Sequence, residues 1–303
     1  MSTVPPVPEA SLTLEAILSR SWRLFRDNPI TALPIAALTL IALVIIVSVA
    51  ALFAVILVQG HLASLQAAQA GSGRAEALPA WFVPLIFGAW LGAVVLGCFV
   101  QAWIYTVTYG LANAQWATGS ATLADGFVAG RKRIGAVFVA GIGFVGLGMA
   151  ALILALPTLF LSFLALVLFT MYALPAAVGG ERPGFAALRE SFELVRHAFG
   201  TSAIALLILW AIQQGISLLA IPFILPLQFG FMLSAANNDK VPHVELWQIA
   251  LGCGGYVLII GASCAYLGYM AIVQTGLYHM LRARAEGVIA APSTPATPAT
   301  PQP

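Results

Sequence analysis

Charge is what this chain has least of. Only 8% of its residues are Asp, Glu, Lys or Arg, where a soluble domain carries about a quarter. From Ile134 to Gly180 there are 47 residues without a single charge. No soluble surface can be built from such a stretch, and with 61% hydrophobic residues and a mean hydropathy of +0.97 the chain reads as a polytopic membrane protein. Cysteine and histidine are scarce as well. Cys98, Cys253 and Cys264 lie inside apolar runs, spaced neither as a metal site nor as a disulfide framework, so they read as small buried residues. His61, His197, His243 and His279 are scattered without an HExxH or other ligand pair, so no metal or cofactor is expected. No Asp, Glu, Lys or Arg falls in the predicted core of any span. Proton-coupled transporters and intramembrane hydrolases use ionisable or nucleophilic groups there, so both classes are disfavoured, along with any enzyme activity. A carrier of neutral or lipidic cargo is compatible with that absence. No nucleic-acid partner is expected; the expected partners are membrane lipids and a membrane protein.

Three amphipathic stretches are present. Over 183–199, Phe185, Leu188, Phe192, Val195 and Phe199 share one helical face, while Arg189, Glu190, Glu193, Arg196 and His197 share the other. The same design occupies 14–27 and, more weakly, 121–133. All three fit A-x-L-x-x-[SG]-[WF]-x-x-x-R: Ala16, Leu18, Ser21, Trp22, Arg26; Ala121, Leu123, Gly126, Phe127, Arg131; Ala186, Leu188, Ser191, Phe192, Arg196. One unit used three times explains the match, and convergence on what any such helix needs is the alternative. In either case the pattern predicts interfacial helices, rings and Leu among acyl chains and Arg among headgroups.

Between these stretches the apolar runs predict six spans, at about 30–58, 82–109, 134–156, 159–179, 200–220 and 247–278. Pro157 marks a hairpin in the long uncharged run. Asp27-Asn28-Pro29 ends the first helix. The first run far exceeds the about 7 to 15 apolar residues of a signal peptide, so it is expected to remain as an anchor. Pro222 and Pro226 disrupt 221–243, which is either a kinked end of span five, the preferred reading, or a surface segment. Residues 1–10 and the Pro/Thr-rich 288–303 read as flexible tails around a membrane domain of 11–287. Arg20, Arg23, Arg26, Arg131, Lys132, Arg133, Arg182, Arg189, Arg196, Arg282 and Arg284 fall on one predicted side, and Arg74 and Lys240 on the other. Eleven of thirteen on one side puts both termini in the cytoplasm, across an inner (plasma) membrane.

Two candidate sites follow. Arg26, Arg131, Lys132, Arg133 and Arg196 could meet lipid headgroups, although basic residues beside spans ordinarily only set topology. Gln101 and Tyr105 on span two, Gln213 and Gln214 on span five and Gln274 on span six could line a shared polar pocket, against the simpler reading of interhelical hydrogen bonding.

The stretch ALPAAVGGERPGFAALRESFELVRHAF and the ending Tyr278, Leu281, Arg282, Arg284, Glu286, Gly287 resemble the bacterial glycerophosphoryl diester phosphodiesterase membrane-domain family and its six-span relatives. That family shows A-L-x-x-S followed by a basic position, and a Y-x-x-L-R-x-R-x-E-G ending. The resemblance implies a six-helix membrane domain, sometimes fused to a phosphodiesterase. Only the Pro/Thr tail follows Gly287 here, so no phosphodiesterase machinery is expected, and the membrane domain offers no catalytic motif to carry over. The expectation is an all-α protein with six transmembrane and three interfacial helices. Its expected role is that of a membrane scaffold or accessory protein without chemistry of its own; the alternative is a transporter or lipid-handling protein using the polar faces of spans two, five and six.

Overall fold

The computed structural model describes residues 13–45, 48, 82–155, 157–158, 161–236 and 245–286. Residues 1–10, 59–80 and 288–303, and all of 46–58 but Ser48, lie outside these, so the expectations for the tails, the first loop and the second half of span one fall there too. Among the described residues every regular element is a helix: α1 (Leu14–Asp27), α2 (Pro29–Ile45), α3 (Phe82–Thr118), α4 (Leu123–Ala155), α5 (Leu161–Thr170), α6 (Ala173–Val178), α7 (Gly184–His197), α8 (Phe199–Ala236) and α9 (Leu246–Ala285). Five stretches are long and apolar enough to cross a membrane: Val94–Thr118, α4, Leu161–Val178, Phe199–Gly230 and α9. These are counted among the described residues, and taking the bent pair α1–α2 as one span makes six. Leu40, Leu96, Ile153, Leu219 and Val257 are each 60% exposed or more, an apolar surface far beyond what a soluble monomer presents. The chain is an all-α polytopic membrane protein.

Local chemistry sets the breaks. Thr13 caps α1 by accepting a hydrogen bond from the Ala16 amide at 3.2 Å. Asn28-Pro29 stops α1, and the axis turns by 82° into α2. The second amphipathic stretch has no such breaker. Residues 123–133 therefore run into the following span as one helix, α4, where a separate interfacial helix over 121–133 was expected. The hairpin at Pro157 is present as a turn at 157–158. α8 continues through Pro222 and Pro226 to Ala236, which makes most of 221–243 a prolongation of span five and not a surface segment. The two prolines are four residues apart, so their missing amides interrupt the same side of the helix. Cys98 and Cys253 are exposed and only Cys264 is buried, because the first two point out of the bundle from α3 and α9. All three were expected inside.

The three copies of the repeat behave alike. Ser21, Gly126 and Ser191 are buried, and so, one turn later, are Phe25, Gly130 and Val195. The adjacent rings point outward, with Trp22 at 54%, Phe127 at 52% and Phe192 at 48% exposure. The small residue lets each helix approach a neighbour. A side chain at Gly126 would strike Leu111 and Val107 of α3, and one at Gly130 would meet Val107. Ser191 sits against the break between α5 and α6, where its hydroxyl donates to the Phe169 carbonyl at 2.7 Å and accepts from the Tyr172 amide at 3.1 Å. On α1, Trp22 and Phe25 lie edge-on to Tyr269 of α9, at 5.9 and 6.2 Å between centroids.

These contacts form a cycle. With units α1–α3, α4–α6 and α7–α9, α4 packs on α3, α7 packs on all three helices of the unit before it and most extensively on α4, and α1 closes onto α9. The three closing segments, α3, α6 and α9, meet in the middle. Trp116, Tyr172 and Tyr278, the largest fully buried side chains, fill that core. Gly276 makes room for it, since a Cβ there would come 2.5–2.8 Å from carbons of the Trp116 ring. In the far halves α8 and α9 stay packed, with Gly255 against Phe223 and Gly230 against Gln248, whereas the six consecutive residues Val94 to Phe99 of α3 are exposed, the Phe99 ring lying 6.3 Å from that of Phe138.

Candidate functional site

The polar side chains gather at the basic end, where the three central helices converge. Glu190 of α7 is the hub, with its side chain only 15% exposed. Its Oε1 accepts from the Tyr278 hydroxyl at 2.9 Å and its Oε2 from Arg182 Nε at 2.5 Å. Arg282 Nη1 donates to the same hydroxyl at 3.1 Å, while its Nε holds Glu286 at 2.7 Å and lies 3.8 Å from Glu190. A carboxylate, a phenol and two guanidiniums thus tie α9 to α7 and to the turn before it. Charge-assisted bonds of this kind are about twice as strong as neutral ones. On the other side of α9, His279 Nε2 meets Asn113 Oδ1 of α3 at 2.7 Å. Deeper, the Tyr109 hydroxyl donates to Gln274 Oε1 between the same two helices.

A second set of bonds fixes the bend between α1 and α2. Gln115 Nε2 donates to the Asn28 carbonyl at 2.6 Å, and Asn28 Nδ2 donates to the Ala121 carbonyl at 3.0 Å. Arg20 donates to the Trp116 carbonyl at 2.9 Å and lays its guanidinium 4.5 Å from the centre of that ring. Ser21 Oγ, Thr31 Oγ1, Thr108 Oγ1, Gln115 Oε1 and Trp116 Nε1 are buried in this part of the molecule without a protein partner among the described residues.

The basic residues singled out for headgroups divide into two kinds. Arg26 pairs with Asp27 at 3.3 Å, both largely exposed, and Arg133 pairs with Glu181, whose carbonyl it also reaches at 3.5 Å. Arg131, Lys132 and Arg196 are exposed, and no carboxylate among the described residues pairs with them. Because the three units pack on three different helices, Arg26, Arg131 and Arg196 are spread around the bundle and do not converge.

Apart from Gln101 with Tyr105, the polar residues singled out for a pocket are not joined to one another by hydrogen bonds among the described residues. Gln274 is buried against Tyr109. Gln101 donates to Tyr105 at 3.4 Å along α3. On α8, Gln213 is half-buried and Gln214 exposed, and no hydrogen bond among the described residues links either one to Gln101, Tyr105 or Gln274.

Sequence reasoning missed the hub. Glu190 was assigned to a solvated face, and Tyr278 and Arg282 stood only as parts of an ending motif. The available signal was their four-residue spacing, which stacks a phenol and a guanidinium on one helical face. Among the described residues no three His, Cys, Asp or Glu side chains come together as metal ligands. Compared with protein-family models, with curated proteins and with solved structures, the chain matches none.

Proposed function

We propose that this chain is a scaffold or accessory protein of the inner membrane that works without chemistry of its own. Both termini lie in the cytoplasm, the basic end faces it, and α1, α7 and the first turns of α4 ride at headgroup level. One observation carries the reading. The side chains that chemistry would need, Glu190, Tyr278, His279, Arg282 and Gln274, are each engaged in bonds that hold helices together. What remains for partners is the outside: three exposed rings, each four residues before an exposed arginine, set around the rim. Such a rim suits anionic lipid headgroups and a membrane protein seated on them. Kinship with the phosphodiesterase membrane-domain family is part of this proposal and rests on the motif residues alone.

A lipid-handling protein is the second reading, favoured by the exposed Gln101 with Tyr105 and the exposed Gln214 on otherwise apolar helices. Reconstitution separates the two. Vesicles bearing the purified chain are expected to pass a fluorescent phospholipid between leaflets no faster than empty vesicles. An acceleration that Gln101→Leu or Gln214→Leu removes would overturn the scaffold reading.

A further inference from the structure

We infer that the groove between α2 and α9 seats one acyl chain of an anionic phospholipid whose headgroup lies at Arg23 and Arg26. The inference rests on the reading of α1 as a headgroup-level helix and adds a single defined site to it. Ala32, Ala36 and Thr39 of α2 face Gly261, Cys264 and Ala265 of α9 across a cleft of about 400 Å³, inside the range of about 300–1,000 Å³ usual for small-molecule sites. Small residues on both walls open it. Its polar atoms are spent, because the Thr39 hydroxyl donates to the Ile35 carbonyl at 2.9 Å and lies 3.6 Å from Cys264 Sγ. The lining that remains is carbon, and it follows α2 from Ala32 to Leu43, roughly 16 Å at the helical rise. That is the form of a hydrocarbon tail.

The upper end of the groove identifies the rest of the ligand. Tyr269 follows Ala265 by one turn on α9 and carries the half-exposed ring of Trp22 against it, an interfacial aromatic just beyond the end of the groove, where Gly268 packs on Ala32. Arg26 lies one turn beyond Trp22 on the same side of α1, and Arg23 is exposed beside it. The only carboxylate paired with either among the described residues is Asp27, on Arg26, in a contact exposed to about two-thirds on both sides. Exposed pairs of that kind are weak, and a phosphate can displace them. The second unit has the same ring and arginine, but α4 is unbroken, and no 82° bend parts its first turns from its span. Since a bilayer is as apolar as the groove, the tail gains little by entering it. Selectivity must come from the headgroup charge.

The full-length chain, stripped in detergent and returned to nanodiscs of phosphatidylethanolamine with one-tenth phosphatidylglycerol, tests this by native mass spectrometry. One retained phosphatidylglycerol per chain is expected, enriched roughly tenfold over its share of the bilayer. Ala36→Phe fills the groove and should abolish retention. Arg23→Gln with Arg26→Gln, both on the surface, should keep a lipid but lose the preference for phosphatidylglycerol. Arg189→Gln, on the exposed face of α7 and paired there with Glu193, should change neither. Retention of both lipids in their bulk ratio, survival of the bound lipid in Ala36→Phe, or an equal loss of preference in Arg189→Gln would each overturn the proposal. The last result would leave a basic rim binding headgroups without a seated tail. Leaflet exchange in vesicles reports on the scaffold reading alone.

Discussion

Ser21 and Ser191 occupy the same place in two copies of one motif, and both are fully buried, yet their removal should have opposite consequences. Ser191 bridges the break between α5 and α6, where the helix gives up its own hydrogen bonding. Its hydroxyl serves the Phe169 carbonyl and the Tyr172 amide at once. Ser191→Ala strands both backbone groups in a core without water, and one buried unpaired group costs about 1–3 kcal/mol. Even with partial relaxation the loss should be about 2 kcal/mol. Ser21 Oγ has no protein partner among the described residues, so Ser21→Ala removes a buried polar atom and leaves no donor or acceptor stranded. Its effect should stay within about 0.5 kcal/mol of zero and can be favourable. Using the roughly 2–4 °C per kcal/mol of domains of 150–250 residues, the two variants should differ by about 4–8 °C in apparent melting temperature. Tryptophan fluorescence during heating, with both variants and the parent in one detergent, measures this. Equal losses, or a larger one for Ser21→Ala, would show that burial of the small residue and not its hydrogen bonding governs the site.

A glycine pair tests the core. Gly276→Leu must displace the Trp116 ring and should prevent recovery of monodisperse protein, whereas Gly254→Leu, on the same helix with nothing within 4 Å, should be recovered at the parent level. Orientation is tested by reporter fusions, active in the cytoplasm after Gly287 and outside it between 62 and 78; an exterior C-terminus would refute the even number of crossings.

The membrane character and a count of five to six spans were legible because both follow from long-range composition. Uncharged runs have a length, and the basic residues that interrupt them have a side. The helix breaks were legible where the chain carries a chemical stop, as at Asn28-Pro29. They were misread where it carries none, as between Arg133 and Ile134, because a change from polar to apolar residues does not by itself end a helix. The motif predicted which ring and which arginine face outward in each copy. It could not say that the three copies point in three directions, since that depends on which helix each one meets. Glu190 was least legible of all. From the sequence it shares a face with Arg189 and Glu193 at the surface, and only the arrival of Tyr278, 88 residues later, turns it into a buried hub.

The closure of the cycle constrains how the molecule can assemble. α4 finds α3, and α7 finds α4, α5 and α6, among segments made just before them. For α1 the partner is α9, and the Tyr269 hydroxyl reaches the Leu18 carbonyl across 251 residues of chain at 3.5 Å. α1 therefore docks only after α9 has been made. Until α9 arrives, Ile17 and Phe25, buried in the finished structure, need another cover, and a helix with one apolar stripe finds it at a bilayer surface. This gives a physical reason for the amphipathic design of α1 that differs from the reason for α4. The first turns of α4 dock on α3 as soon as they form and can run straight into their span. α1 has its docking partner far along the chain, and the sharp bend at Asn28-Pro29 sets its axis at 82° to α2.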